Sequence, residues 1–170
     1  MASVDVRIPA DRTQADLLGA LIQLNADPAI DGYIIQHPVP TGFDFNAAVA
    51  AMDPSKDADG LHPMNLGLLA LGEKGAPRPC TPVGIQAMLQ HYGLDVSGKR
   101  MVIVGRGPTL GRPLSMLMSL KEPGANAAVT VVHTGVPNWR EITRQADIVV
   151  GAAGVPNMIT PDAIRPGAIV

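Results

Sequence analysis

Glycines at 105, 107 and 111 follow directly on the apolar run Met101-Val-Ile-Val104, and this is the stretch of the chain best suited to chemistry. Without a Cβ, such residues let backbone N–H groups close on an anion. A helix expected from about Arg112 to Leu120 would add its unpaired N-terminal donors and the positive end of its dipole. The spacing G-x-G-x-x-x-G is one residue longer than the usual dinucleotide fingerprint, so its meaning depends on context. That context is a second apolar run, Ala128-Val-Thr-Val-Val132, at the distance a βαβ unit requires. An NAD-binding fold carries a carboxylate after this strand for the ribose 2′-hydroxyl, whereas this chain has His133 and Thr134. The missing carboxylate, with Arg106 inside the loop, favours a 2′-phosphate and therefore NADP over NAD. The plain alternative is a tight glycine turn that holds nothing.

A second group of polar residues lies earlier. Lys56-Asp-Ala-Asp-Gly60 sets Asp57 and Asp59 beside a glycine, and Gln36 ends an apolar run, at the strand edge where open α/β sheets place ligands. Both also have ordinary readings, since Asp before Gly forms turns and Gln36 could cap a strand. His62 and His133 are acid/base candidates or structural loop histidines. Cys80, in Pro79-Cys-Thr-Pro82, has no histidine near it in sequence and reads as a nucleophile or as a small buried residue beside a helix cap.

The elements that must position these residues alternate between strand and helix. Strands are expected at 4–8, 31–36, 101–104, 128–132 and 148–150. Helices are expected at 13–24 behind a T-x-x-D capping pattern, at 45–52, and from Thr81 as N-cap with Pro82 at N1 to a stop at Gly93. Two more follow, at 112–120 and 139–146. The longest stretch without periodicity, 53–82, is rich in Gly, Pro and Asp. The pattern predicts an α/β fold of two α/β domains with parallel sheets. Residues 1–80 form a substrate-side domain, 81–96 a linking helix, and 97–170 a Rossmann-like nucleotide-binding domain. Both ends look cut. The chain stops three apolar residues into what reads as another strand, 168–170, so a fragment or a shortened relative of a longer protein is expected.

Composition narrows the function classes. At 170 residues with 46% hydrophobic content and a net charge of −2, the chain is an ordinary globular one without the basic surplus that nucleic acid would attract. Aromatics at 3% leave little with which to stack bases. The single cysteine fits a reducing compartment, the histidines lack metal-ligand spacing, and neither a membrane span nor a signal peptide is evident, so the cytoplasm is expected.

Five ordered blocks then match a known family. Gly32-Tyr-Ile-Ile-Gln-His-Pro-Val-Pro40, Asp53-Pro-Ser-Lys-Asp-Ala-Asp-Gly-Leu-His-Pro-Met-Asn-Leu-Gly67, Pro79-Cys-Thr-Pro-Val-Gly84, Val104-Gly-Arg-Gly-Pro-Thr-Leu-Gly-Arg-Pro113 and Thr143-Arg-Gln-Ala-Asp-Ile148 resemble the bifunctional methylenetetrahydrofolate dehydrogenase/cyclohydrolase family. The resemblance implies oxidation of 5,10-methylenetetrahydrofolate to the methenyl form with NADP, hydrolysis of that product to 10-formyltetrahydrofolate, and a homodimer. It places Gly105, Arg106 and Gly107 on the cofactor loop and Thr134 on the small hydroxyl residue after the next strand; Gly111 and His133, singled out by their positions alone, complete the expected cofactor-binding residues. Asp59 and Gln36 fall on the folate-site aspartate and glutamine. A carboxylate can take two parallel hydrogen bonds from the amino-pyrimidine edge of a pterin, as it does from a guanidinium.

The departures are specific. The family's Tyr-x-x-x-Lys motif belongs upstream of anything here, and Lys56 is not its equivalent. The C-terminal segment with its Pro-Gly-Gly-Val-Gly-Pro loop is also missing. Gly107 replaces the usual serine, and His37 stands where leucine is usual. Besides the enzyme, two readings remain: a shortened non-catalytic paralogue that keeps NADP or folate binding or only a dimer surface, and an NADP-dependent dehydrogenase acting on another pterin.

Overall fold

A computed structural model describes residues 2–170. The α/β class holds, with a parallel sheet covered by helices. Three strands, β1 (Arg100–Val104), β2 (Ala128–Val132) and β3 (Ile148–Gly151), form it in the order β2-β1-β3, with both pairs parallel. Central β1 alternates across two cores, as a strand buried on both faces must. Met101 and Ile103 pack with Leu114 and Met118, while Val102 and Val104 pack with Trp139, Val149 and Ala163. Ile169 pairs with β3: the Val149 N–H donates to its carbonyl at 2.8 Å, and its own N–H donates to Asp147 O at 3.0 Å. Within the apolar run at 168–170, Ile169 thus makes one parallel bridge, to Ile148, rather than the further strand expected there.

Four helices precede or flank the sheet: α1 (Gln14–Ala26), α2 (Phe45–Ala50), α3 (Pro63–Leu71) and α4 (Cys80–His91). Two more, α5 (Gly111–Ser119) and α6 (Trp139–Thr143), connect its strands. α1 starts as expected, with the Thr13 hydroxyl accepting from the Asp16 N–H and the Asp16 carboxylate accepting from the Thr13 N–H.

Several expectations need correction. α4 begins at Cys80 rather than behind Thr81, and its N-cap, Pro79, makes no side-chain hydrogen bond. Gly93 closes it as expected, at φ +67, which lets the Leu94 N–H reach back to Leu89 O at 2.9 Å. α3 lies inside the stretch read as unperiodic. Pro63 opens it and left-handed Gly72 ends it, but its apolar Met-Asn-Leu-Gly-Leu-Leu-Ala-Leu body shows no polar face, and its N-cap is His62, an unusual capping residue. Residues 4–8 form no strand; Ile8 packs beside Leu17 and Leu21 of α1, with no ladder partner. In 31–36 the ladder is one parallel bridge, Tyr33 with Asp57, where the Tyr33 N–H donates to Lys56 O at 2.9 Å.

Side chains in place of a ladder tie these segments together. The Lys56 ammonium donates to the carbonyls of Leu24, Asn25 and Asp27 at 2.9, 2.8 and 2.7 Å, capping the C-terminal end of α1, where a cation also suits the dipole. Asn25 Oδ1 accepts from the Tyr33 hydroxyl at 2.7 Å and from the Asp53 N–H at 2.8 Å. Lys56 is thus part of the fold. Lys56→Met should cost about 2 kcal/mol. Urea denaturation checks this, with an unchanged midpoint counting against it.

Candidate functional site

The sheet ends where β1 passes into the glycine loop. Gly105, Arg106, Gly107, His133 and Thr134 come together as sequence reasoning expected, lining a cavity of about 250 Å³ at the carboxyl ends of β1 and β2. Gly105 has φ +132, and a Cβ there would stand 2.3 Å from Ala152 O, so only glycine lets the loop pass so close to the chain after β3. Gly111 serves differently. It lies outside this cavity, and its own notional Cβ would stand 2.3 Å from Gly105 O, so it seats the first turn of α5 against the loop. Gly107 has nothing within 4 Å of its Cβ position and leaves open space where the family's serine would fit.

No side chain caps the N-terminus of α5, whose N-cap is Leu110; of its first N–H groups, that of Arg112 donates to Gly107 O in the loop at 3.2 Å. Arg106 is exposed at the mouth of the cavity, and neither position after β2 carries a carboxylate. His133 Nδ1 accepts from the Gly135 N–H at 3.0 Å, which holds its ring in the cavity wall. The residues present therefore fit a dinucleotide phosphate.

Sequence reasoning missed the loop after β3. A second cavity of about 430 Å³ is lined by Gly151, Gly154, Pro156 and Asn157, and it shares Val104, Ala153 and Met158 with the first. The usable signal was positional, because ligands in open parallel sheets sit beyond the carboxyl ends of the strands where the strand order reverses, here between β1 and β3.

Gln36 and Asp59 line neither cavity. Because Tyr33 and Asp57 pair in parallel, both residues leave the carboxyl end of the same paired segments. Gln36 is exposed, and its Nε2 donates to His37 O at 3.1 Å. The His37 ring stands edge-on to Phe45, centroids 4.7 Å apart.

The two aspartates differ sharply. Asp57 is 2% exposed, and its carboxylate accepts from the Leu61 and His62 N–H groups at 3.2 and 2.7 Å and from Asn65 Nδ2 at 2.8 Å. It is occupied in folding the loop. Asp59 is half-buried, and burial, with the Asp57 charge second, pushes its carboxyl above the ordinary range without a hydrogen bond to offset the rise. A carboxylate so placed is short of donors. His62 is buried, and its Nδ1 accepts from the Met64 N–H at 3.1 Å, so it caps α3 and is occupied there. Cys80 is exposed, contrary to the buried reading; its thiol donates to Ala58 O at 3.1 Å. Although the residue is exposed, partial desolvation of its thiol, then the Asp59 and Asp57 charges, push the thiol up, which opposes a thiolate nucleophile.

Among the described residues no helix is long and apolar enough to cross a membrane, and no cluster of His, Cys, Asp or Glu could hold a metal ion. The fold and its glycine loop define a Rossmann-type dinucleotide-binding α/β protein. Residues 79–170 match the NAD(P)-binding domain, and residues 1–59 the catalytic domain, of tetrahydrofolate dehydrogenase/cyclohydrolase, and the chain belongs to that family.

It is 60% identical over 170 residues to bifunctional protein FolD of Syntrophotalea carbinolica, covering 100% of this chain and 58% of that relative. The crystal structure of the bifunctional enzyme FolD from Campylobacter jejuni superposes with a TM-score of 0.85 at 35% identity, over 91% of this chain and 54% of the other. The Trypanosoma brucei enzyme complexed with NADP cofactor and inhibitor gives a TM-score of 0.84 at 37% identity, over 93% and 53%. The chain thus spans little more than half the length of the relatives it matches.

Proposed function

We propose that this chain supplies the NADP-binding and folate-binding parts of an enzyme that oxidises 5,10-methylenetetrahydrofolate to 5,10-methenyltetrahydrofolate and hydrolyses that product to 10-formyltetrahydrofolate. Residues 1–80 form the folate side, 81–96 the link and 97–170 the nucleotide side, and the protein works in the cytoplasm as a homodimer. The single observation that carries the reading is the cavity formed by Gly105, Arg106, Gly107, His133 and Thr134, with an arginine at its mouth and no carboxylate after β2.

The backbone of the glycine loop and the start of α5 hold the pyrophosphate, and the Arg106 guanidinium holds the ribose 2′-phosphate. The chemistry that NADP would supply there is acceptance of a hydride from the one-carbon bridge of the folate. Asp59 accepts two N–H groups of the amino-pyrimidine edge, and Gln36 adds an amide contact. Together they fix the bridge, and alignment of this kind replaces much of the entropic cost of the reaction.

NADP should bind more tightly than NAD, and Arg106→Ala should narrow the difference by about 1.5–3 kcal/mol. Calorimetric titration of both cofactors into the wild-type chain and the variant tests this. Equal wild-type affinity for the two would overturn the assignment.

A further inference from the structure

The turn that carries Asp59 rides on the backbone just ahead of α4. A Cβ at Gly60 would stand 2.3 Å from the Arg78 carbonyl carbon and 2.5 Å from the Pro79 nitrogen, so the two stretches meet backbone to backbone. The Cys80 N–H donates to Asp59 O at 3.2 Å, and the Cys80 thiol donates to Ala58 O at 3.1 Å. Where 78–80 goes, 58–60 follows.

Residues 78–80 are held in turn by a side chain. Both terminal nitrogens of Arg78 donate to the Glu122 carboxylate, one to each oxygen, with Nη2 to Oε2 at 3.0 Å. Glu122 lies in the turn after α5, the helix that begins at the glycine loop, and that turn is closed by the Ala125 N–H donating to Glu122 O at 3.1 Å. The partners are 26% and 23% exposed, so solvent and salt screen them less than a rim pair. Two parallel N–H···O bonds define a plane and fix direction as well as distance. Packing of α4 on α5 sets the helix axis, but no side-chain cap holds the start of α4. The fork restrains that start.

We propose that Arg78 and Glu122 are positioning residues for Asp59. Their fork ties the strap at 78–80, and through it the Asp59 carboxylate, to the end of α5, so the folate side keeps a fixed place relative to the glycine loop. The inference rests on the folate reading of Asp59 given above.

Amide hydrogen exchange and ligand titration on the full chain test it, using wild type, Arg78→Leu, Arg78→Lys and the reversed pair Arg78→Glu/Glu122→Arg. Arg78→Leu should speed exchange of the Cys80 amide by about tenfold and leave the amides of β1 unchanged. It should weaken binding of 5-formyltetrahydrofolate about tenfold and leave NADP affinity within about twofold. Arg78→Lys, with the charge but not the fork, should fall between, and the reversed pair should recover most of both effects.

Unchanged protection of Cys80 in Arg78→Leu overturns the proposal, as does faster exchange with unaltered folate affinity. Loss of protection spreading to β1 also overturns it, because that marks a general structural role. Wild-type chain that binds no folate instead overturns the reading of Asp59, a result visible before any variant is made.

Discussion

Replacing Asp59 by asparagine is expected to weaken folate binding about a hundredfold while raising thermal stability at neutral pH. The binding loss follows from the role of the carboxylate, since an amide of the same size offers one acceptor oxygen and turns a donor toward the N–H groups it should receive. The stability gain follows from its surroundings. Burial and the neighbouring Asp57 charge raise the Asp59 carboxyl, so the folded chain holds that proton more tightly than the unfolded chain does. Above both protonation ranges the ionised group therefore opposes folding, and the neutral amide relieves the strain. Folate affinity of the wild type should fall on acidification, beginning at a higher pH than an ordinary aspartate would give.

Asp57→Ala is the contrasting change. It leaves two backbone N–H groups and Asn65 without their acceptor and should cost about 2–4 kcal/mol of stability. Thermal melts and folate titrations of the two variants separate the roles. A destabilised Asp59→Asn that still binds folate would reverse them.

Gly105→Ala is expected to remove nucleotide binding and to destabilise the chain by roughly 3–5 kcal/mol, whereas Gly107→Ala should be nearly neutral for stability. At Gly105 the added methyl meets Ala152 O at 2.3 Å, and the backbone is at φ +132, where L residues rarely go. Both partners are main chain, so relief requires the β1 and β3 ends to separate, and this opens the cavity they line. At Gly107 nothing lies within 4 Å of the added atom. NADP titration and chemical denaturation of the two variants check the contrast, and equal tolerance at 105 and 107 would show that the loop is not held against the chain after β3.

The nucleotide side was legible because its signals are local. An apolar strand, glycines at fixed spacing and a second apolar strand are short-range features, and the βαβ connection leaves little topological choice. The residues 4–8 and 31–36 also read as strands from β-branched content alone, yet strand pairing depends on a partner, and propensity does not supply one. There the structure uses Lys56 and Asn25 to bind carbonyls, hydroxyl and amide from segments far apart in sequence. No period marks such residues. α3 escaped for another reason: packed against α5 and capped by a histidine, it lacks the polar face and the capping residue that reveal a helix.

Residue types and near-neighbour spacing were enough to give the α/β class, the parallel order of a βαβ nucleotide unit, the grouping of Gly105, Arg106, Gly107, His133 and Thr134, and the family resemblance. Long-range packing was needed to show that Asp57 is occupied and Asp59 is not, that Gly111 packs against the loop instead of lining the cavity, and that Arg78 reaches Glu122 across 44 residues of chain. Burial, hydrogen-bond satisfaction and close backbone approach depend on atoms brought together from distant segments, and no local pattern records which atoms those will be.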